Sequence, residues 1–126
     1  MRAYSAFTLI ELIVVLAILA LLVSLAVPRY FAHVDYAKEA TLRQDLSVLR
    51  DAIDKFYGDK GRYPDTLEEL VDQRYIRGIP VDPITESAST WSAVPPPAEA
   101  DVKGSVYDIK SGAQGNGLDG TPFADW

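Results

Sequence analysis

Glu11 is the residue of this chain whose type and position could do chemistry. It places a carboxylate inside an apolar run that covers residues 7–27, and from Leu12 to Val27 the only polar side chain is Ser24. A charged side chain at the centre of a membrane helix costs about 2.5–3.5 kcal/mol on the insertion scale. A chain that keeps such a group there is expected to supply a partner of opposite charge, so Glu11 is a candidate for ion pairing.

The apolar run itself must be positioned by a helix. Its 21 residues span about 30 Å at 1.5 Å per residue, which is the thickness of bilayer hydrocarbon. The alternative is a secretory signal peptide with Arg2 as its basic start and Ser24-Leu25-Ala26 as its cleavage site, which would release a soluble binding domain after Ala26. The internal carboxylate, and a length beyond the usual apolar core of about 7–15 residues, favour a membrane-spanning segment.

Composition limits the classes of function. The 126 residues allow one small domain, and 12 Lys+Arg against 18 Asp+Glu give a net charge of −6, which argues against direct nucleic-acid binding. The sequence has no cysteine, one histidine and no lysine-bearing phosphate loop, and its acidic residues are scattered. We therefore expect no enzyme, with no catalytic and no cofactor-binding residues.

A second periodic pattern extends the helix beyond the apolar run. Apolar side chains step by four and three residues and end at Gly58 and Gly61, which predicts one helix from Phe7 to about Tyr57 with a kink or local melt near Pro28. The stripe consists of Leu42, Leu46, Leu49, Ile53 and Phe56. Charges at helical spacing predict ion pairs between Glu39 and Arg43 and between Asp51 and Lys55.

The remainder of the chain is short and rich in turns. A capping box at Thr66-Leu67-Glu68-Glu69 predicts a helix that ends near Gln73. Residues 90–94 and 105–110 are predicted strands, in an antiparallel hairpin or a three-stranded sheet. The fold class is therefore α+β, in which a long N-terminal helix, residues 7–58, packs against a small antiparallel sheet domain formed by residues 59–126.

The N-terminal segment resembles the class III leader of type IV pilins and type II secretion pseudopilins. The resemblance rests on Ala6-Phe7-Thr8-Leu9-Ile10-Glu11 and the following Leu12-Ile13-Val14-Val15-Leu16-Ala17-Ile18, with Pro28 after the apolar run. It implies a pilin-like fold, a leader of residues 1–6, cleavage between Ala6 and Phe7 by a prepilin peptidase, and N-methylation of Phe7. Ala6 stands where the family prefers glycine.

The same resemblance implies how the protein assembles. Phe7, Glu11 and Pro28 become assembly residues of a helical homo-polymer whose core is formed by residues 7–27. Glu11 is expected to pair with the free amine of Phe7 in a neighbouring subunit, and its alternatives are protonation or pairing with its own amine. Implied partners are prepilin peptidase, an inner-membrane assembly platform and minor pseudopilins.

Localisation follows from the resemblance and from the flanking charges. Arg2 and the starting amine favour a cytoplasmic N-terminus, although Arg29 flanks the other end. The precursor is expected to cross the bacterial inner membrane once, with its globular domain in the periplasm, before it joins a periplasmic or surface filament. The implied function is that of the major pseudopilin of a type II secretion system. The alternative in the same class is a type IV pilin or minor pilin for adhesion, motility or DNA uptake.

The globular part also resembles the major pseudopilins, and this implies a possible cofactor, calcium. The matching segments are Gly61-Arg62-Tyr63-Pro64, Pro80-Val81-Asp82-Pro83, Tyr107-Asp108 and Asp125-Trp126. That group holds calcium in its C-terminal loop, and Asp119 and Asp125 are the matching metal ligands here, with carbonyl help from residues such as Ser111. The alternative is a metal-free loop that Phe123 and Trp126 anchor by packing.

Overall fold

The structure is a computed structural model that describes residues 5–126. Residues 1–4, with Arg2 and most of the expected leader 1–6, lie outside the described residues. The chain divides into two compact units, Met1–Asp35 and Tyr36–Trp126. Helix α1 (Leu9–Lys60) contributes its first part to one unit and its second part to the other. The predicted long helix is confirmed.

Pro28 does not interrupt α1, whose helical assignment continues on both sides of it. Proline lacks the N–H that would bond to the carbonyl four residues earlier, which is that of Ser24. The hydroxyl of Ser24 in turn donates to the carbonyl of Ala20 at 2.7 Å. The helix is therefore not melted at Pro28, and the kink that was the other expectation stays a prediction.

The second part of α1 is amphipathic, as its periodicity predicts. All five stripe residues are buried, at 0–2% exposure: Leu42, Leu46, Leu49, Ile53 and Phe56. They form one core with Leu70, Val106, Ile109 and Phe123 from the rest of the same unit. The helix therefore acts as the central packing element of residues 36–126, and the small sheet and loops supply its cover.

Helix α2 (Leu67–Asp72) begins at the predicted cap. The Thr66 hydroxyl accepts a hydrogen bond from the Glu69 amide at 3.3 Å, and Glu69 accepts from the Asp65 amide at 2.8 Å. Glu69 also pairs with Arg62. This contact and the Asp65 hydrogen bond hold the pKa of Glu69 below its ordinary value, with Arg62 as the larger cause.

The sheet contains two short strands, β1 (Ser92–Val94) and β2 (Asp108–Lys110), paired antiparallel with Ala93 opposite Ile109. Both are shorter than predicted, and β2 is shorter because the amides that precede it bond to another segment. The Trp91 indole donates to the Pro80 carbonyl at 2.8 Å, and the amides of Ser105 and Val106 both donate to the Pro64 carbonyl. Of the two alternatives for the sheet, the described residues form the hairpin.

Asp82 is a fully buried carboxylate in the loop before β1. Its Oδ1 accepts hydrogen bonds from the amides of Ile84 at 2.8 Å and Thr85 at 3.3 Å, and its Oδ2 accepts from the Ser111 hydroxyl. Because each oxygen has a donor, the burial is tolerated. Asp82 thus ties its loop to the segment that follows β2.

Candidate assembly site and C-terminal loop

Glu11 lies in the first turn of α1 and forms a capping box with Thr8. The Glu11 amide donates to Thr8 Oγ1 at 3.1 Å, and the Thr8 amide donates to Glu11 Oε2 at 3.3 Å. Each side chain therefore satisfies one free amide at the helix start. The negative charge is also favourably placed against the positive end of the helix dipole. Glu11 is thus positioned by the backbone within its own subunit.

Ala6 and Phe7 precede the helix. Both lie in non-helical backbone, and Phe7 is 88% exposed. The peptide bond between Ala6 and Phe7 therefore lies outside the helix and joins two exposed residues. Phe7 directly precedes Thr8, whose hydroxyl caps the helix.

The apolar part of α1 has exposed side chains along its length. Every residue from 9 to 27 is exposed, and the helix contains a window with mean hydropathy of 3.0 of which 0% is buried. By length and composition this helix could cross a membrane, and a signal sequence would pass the same test. Contiguous apolar surfaces of this size mark sites for lipid or for other protein chains.

The C-terminal loop is held by the second part of α1. Asp119 Oδ2 lies 3.3 Å from Arg43 Nη2, and the Arg43 guanidinium lies 3.9 Å from the centre of the Trp126 ring. Glu39 accepts a 2.6 Å hydrogen bond from the Leu118 amide. We name the set Glu39, Arg43, Asp119, Thr121 and Trp126 the C-terminal clasp. The predicted pair of Glu39 with Arg43 is replaced by these two contacts to the loop, whereas Asp51 and Lys55 do pair, at 2.8 Å.

The two acids predicted to bind calcium do not fit that ion as they are arranged. Asp119 Oδ1 already accepts from the Thr121 amide at 3.0 Å and hydroxyl at 2.6 Å, and its Oδ2 faces Arg43. Asp125 is exposed in the short 3₁₀ helix Phe123–Asp125. Within residues 5–126, no group of three or more Asp, Glu, His or Cys side chains could hold a metal ion.

The electrostatics of Asp119 agree with this arrangement. The hydrogen bonds from Thr121, and to a smaller degree the charge of Arg43, hold the pKa of Asp119 below its ordinary value. The carboxylate is therefore ionised at neutral pH, and its charge is met by donors of the same chain.

Comparison with known proteins identifies the family. The model of the prokaryotic N-terminal methylation motif matches residues 1–27. The type II secretion system core protein G of Pseudomonas aeruginosa is 35% identical over 98 residues, which cover 65% of this chain and 69% of that protein. The corresponding protein of Aeromonas hydrophila is also 35% identical, over 65% of this chain and 68% of its own length. The chain belongs to the type II secretion core protein G family.

This membership confirms that the protein is a pseudopilin, a structural subunit. The relationship to type IV pilins is shorter: the type IV major pilin protein PilA of Myxococcus xanthus is 34% identical over 64 residues, 51% of this chain and 29% of that protein. No solved structure matches the chain. The predicted family and the predicted pilin-like α+β fold are both confirmed.

Two functional features of this pseudopilin were missed by sequence reasoning. Thr8-Leu9-Ile10-Glu11 has the same spacing as the capping box at Thr66, so the pattern was available. Arg43 pairs with Asp119, which lies 76 residues away in sequence. No local pattern indicates such a contact.

Proposed function

We propose that this pseudopilin is the major subunit of a type II secretion filament and polymerises through residues 7–27. The observation that carries the proposal is the apolar part of α1, exposed along its whole length, with a single carboxylate in its first turn. A heterologous contact between identical subunits extends without closing, which generates a helical filament. The chain's relatives are structural subunits, and this fits a role in assembly.

Burial of the apolar helix supplies the driving force. Each fully buried leucine, isoleucine or valine contributes about 1.5–3 kcal/mol relative to exposure in water. Fourteen large apolar residues between Leu9 and Val27 are at least 43% exposed in the single chain. In the membrane they face lipid, and in the filament they would face the same segment of neighbouring subunits.

Glu11 fixes the register of this otherwise uniform surface. Its carboxylate would exchange the Thr8 amide for the free amine of Phe7 on a neighbouring subunit. Both charges are desolvated in a filament core, and the removal of one partner from such a pair costs about 3–5 kcal/mol. Apolar contacts between neighbouring helices would still form if one helix shifted by one turn along the other. The ion pair between Glu11 and the neighbouring amine forms at one axial position only.

Processing and location complete the proposal. We place the precursor in the inner membrane as a single span, with its N-terminus in the cytoplasm and residues 59–126 in the periplasm. Prepilin peptidase removes residues 1–6, and Phe7 is then methylated. An assembly platform in the inner membrane, with minor pseudopilins, extracts the mature subunit into the filament. The helical domain of this assembly comprises residues 7–58, with Pro28 at the end of the polymer core.

The test is a comparison of Glu11→Ala with Glu11→Asp in cells that overproduce the chain. We expect Glu11→Ala to insert and to be cleaved normally, while the yield of purified filaments falls at least about tenfold, which corresponds to 1.4 kcal/mol. Glu11→Asp keeps the charge and should retain part of the yield. Normal filaments from Glu11→Ala would show that the carboxylate has no part in assembly.

The alternatives differ in the mature N-terminus and in the phenotype. Mass spectrometry should find a methylated Phe7, whereas a chain that starts at Val27 would indicate an exported soluble domain. The similarity to PilA keeps a type IV pilin as the second candidate. Loss of this gene should stop protein export if the subunit belongs to a secretion system, and it should stop adhesion, motility or DNA uptake if the subunit is a pilin.

A further inference from the structure

We propose that the guanidinium of Arg43 is the cation of the C-terminal loop, so that the C-terminal clasp fixes residues 115–126 without calcium. The proposal concerns the folding of a single subunit and is independent of how the filament assembles.

Four residues of the clasp, other than Glu39, form a closed ring of contacts. Arg43 lies 3.3 Å from Asp119 Oδ2 and over the face of Trp126. The Trp126 indole N–H donates to Thr121 Oγ1 at 2.8 Å, and the Thr121 hydroxyl donates to Asp119 Oδ1 at 2.6 Å. Arg43 therefore contacts both ends of a hydrogen-bonded chain that runs from Asp119 through Thr121 to Trp126. A planar guanidinium suits this position because it can pair with a carboxylate and stack on an aromatic ring together.

Neighbouring positions on α1 hold the same loop. One turn before Arg43, Glu39 accepts from the Leu118 amide, and further along the helix Arg50 donates to the main-chain oxygen of Trp126 at 2.6 Å. Lys110 on β2 donates to that oxygen at 2.8 Å. The loop is thus fixed at its middle and at its end by side chains of the protein.

Gly117 adapts the loop backbone to this packing. A Cβ atom at this position would overlap the Trp126 ring and would lie 3.1 Å from Glu39 Oε1. The Phe123 ring meets the Trp126 ring edge to face, with centroids 5.0 Å apart. The Trp126 ring therefore packs against the loop, Phe123 and Arg43.

Calcium and Arg43 would compete for Asp119. Calcium requires six to eight oxygen ligands at about 2.3–2.6 Å. An ion at that distance from Asp119 Oδ2 would lie next to the Arg43 guanidinium, and like charges at such separations repel. Ligation through Oδ1 would instead displace the two hydrogen bonds from Thr121. Calcium could therefore bind only after Arg43 or Thr121 had left the carboxylate.

The experiment is thermal unfolding of the mature full-length chain in detergent, with calcium or with a calcium chelator. We expect the wild-type midpoint to be the same in both conditions. Arg43→Gln should lower the midpoint by about 4 °C and accelerate amide exchange at Leu118 and Thr121. Asp119→Asn breaks the same contact from the loop side and should give the same local change.

Lys55→Gln is the matched control. It removes a lysine from an exposed ion pair with Asp51 on the same helix, away from the clasp, and should shift the midpoint by less than about 1 °C. Stabilisation of the wild type by calcium would overturn the proposal. So would an Arg43→Gln variant that unfolds at the same midpoint as Lys55→Gln and keeps slow exchange at Leu118.

Discussion

At the scale of single residues, the acidic groups of the globular unit with a shifted pKa are of two kinds. Glu69 and Asp119 meet donors that favour their ionised forms, and the pKa of each is lowered. Asp45 is different: partial burial, and then the negative charge of Asp82, raise its pKa. Ionised Asp45 therefore destabilises the folded state, which makes it a site where removal of a charge should help.

Asp45→Asn should stabilise the protein at neutral pH by less than about 1 kcal/mol. A raised folded-state pKa means that the penalty is absent below the unfolded value of about 3.9 and develops as the pH rises through the folded value. The gain should therefore be present at pH 7 and vanish near pH 3. Chemical denaturation at both pH values measures it, with Asp51→Asn as an exposed control; equal or lower stability of Asp45→Asn at pH 7 would contradict the argument.

At this scale, a contact can be predicted from the sequence when its two residues are close together in the chain. The Thr66 cap and the pair of Asp51 with Lys55 are local, and both were predicted correctly. The assignment of Arg43 to Glu39 was wrong because helical spacing only shows which partners are available. The structure gives Arg43 a carboxylate and an aromatic face that the fold brings together from the far end of the chain.

At the scale of elements, α1 carries two surfaces with different requirements. Its second part buries one stripe against the rest of the globular unit, with Leu42, Leu49 and Phe56 at 0% exposure. Helical periodicity predicted the five large apolar residues of this stripe, because every turn repeats the same information. It did not predict the smaller Ala52, which is also buried. The second part of α1, which organises the globular core, is therefore the part of the fold that the sequence predicts best.

Leu49→Ala should destabilise the globular unit by about 2–5 kcal/mol, since it leaves a cavity at the centre of the core. Val48→Ala is the control on the same helix, because Val48 is 45% exposed and its loss should cost within about 0.5 kcal/mol. Urea unfolding of both variants separates them. Similar midpoints for the two would mean that the stripe does not hold the core.

The strands were predicted in the right places but with too many residues. Residues 105–107 have the alternation of a strand, yet the amides of Ser105 and Val106 donate to Pro64, and only Tyr107 donates to Val94 beside the ladder. The alternation of apolar and polar residues predicts which side chains face the core. It does not predict which carbonyl accepts the hydrogen bond of each backbone amide. The hydrogen-bond partners of these amides depend on how the loops pack, which a single sequence does not predict.

At the scale of the whole molecule, apolar surface is divided unequally between the two compact units. Residues 36–126 contain the buried core, whereas residues 9–27 are exposed throughout. The first unit therefore presents apolar surface without a core of its own, and all residues of the buried core belong to the second. This division agrees with a subunit that exchanges one apolar environment for another.

A fragment that starts at Tyr36 should therefore fold alone as a monomer in water. We expect its melting midpoint to lie within about 5 °C of that of the globular unit in the full-length chain in detergent, because the core residues are all retained. Circular dichroism and analytical ultracentrifugation test this expectation. A non-cooperative transition, or association of the fragment, would show that residues 5–35 contribute to the fold of the second unit.

One exposed segment has a practical consequence for imaging. Residues 97–101 are exposed and include the short 3₁₀ helix Ala98–Ala100. The helix ends at Asp101, which has left-handed backbone with φ of 45°. Exposed backbone of this kind tolerates inserted sequence. A small epitope or fluorophore-binding peptide placed there would label the subunit in living cells while the N-terminal helix and the C-terminal clasp keep their native sequence.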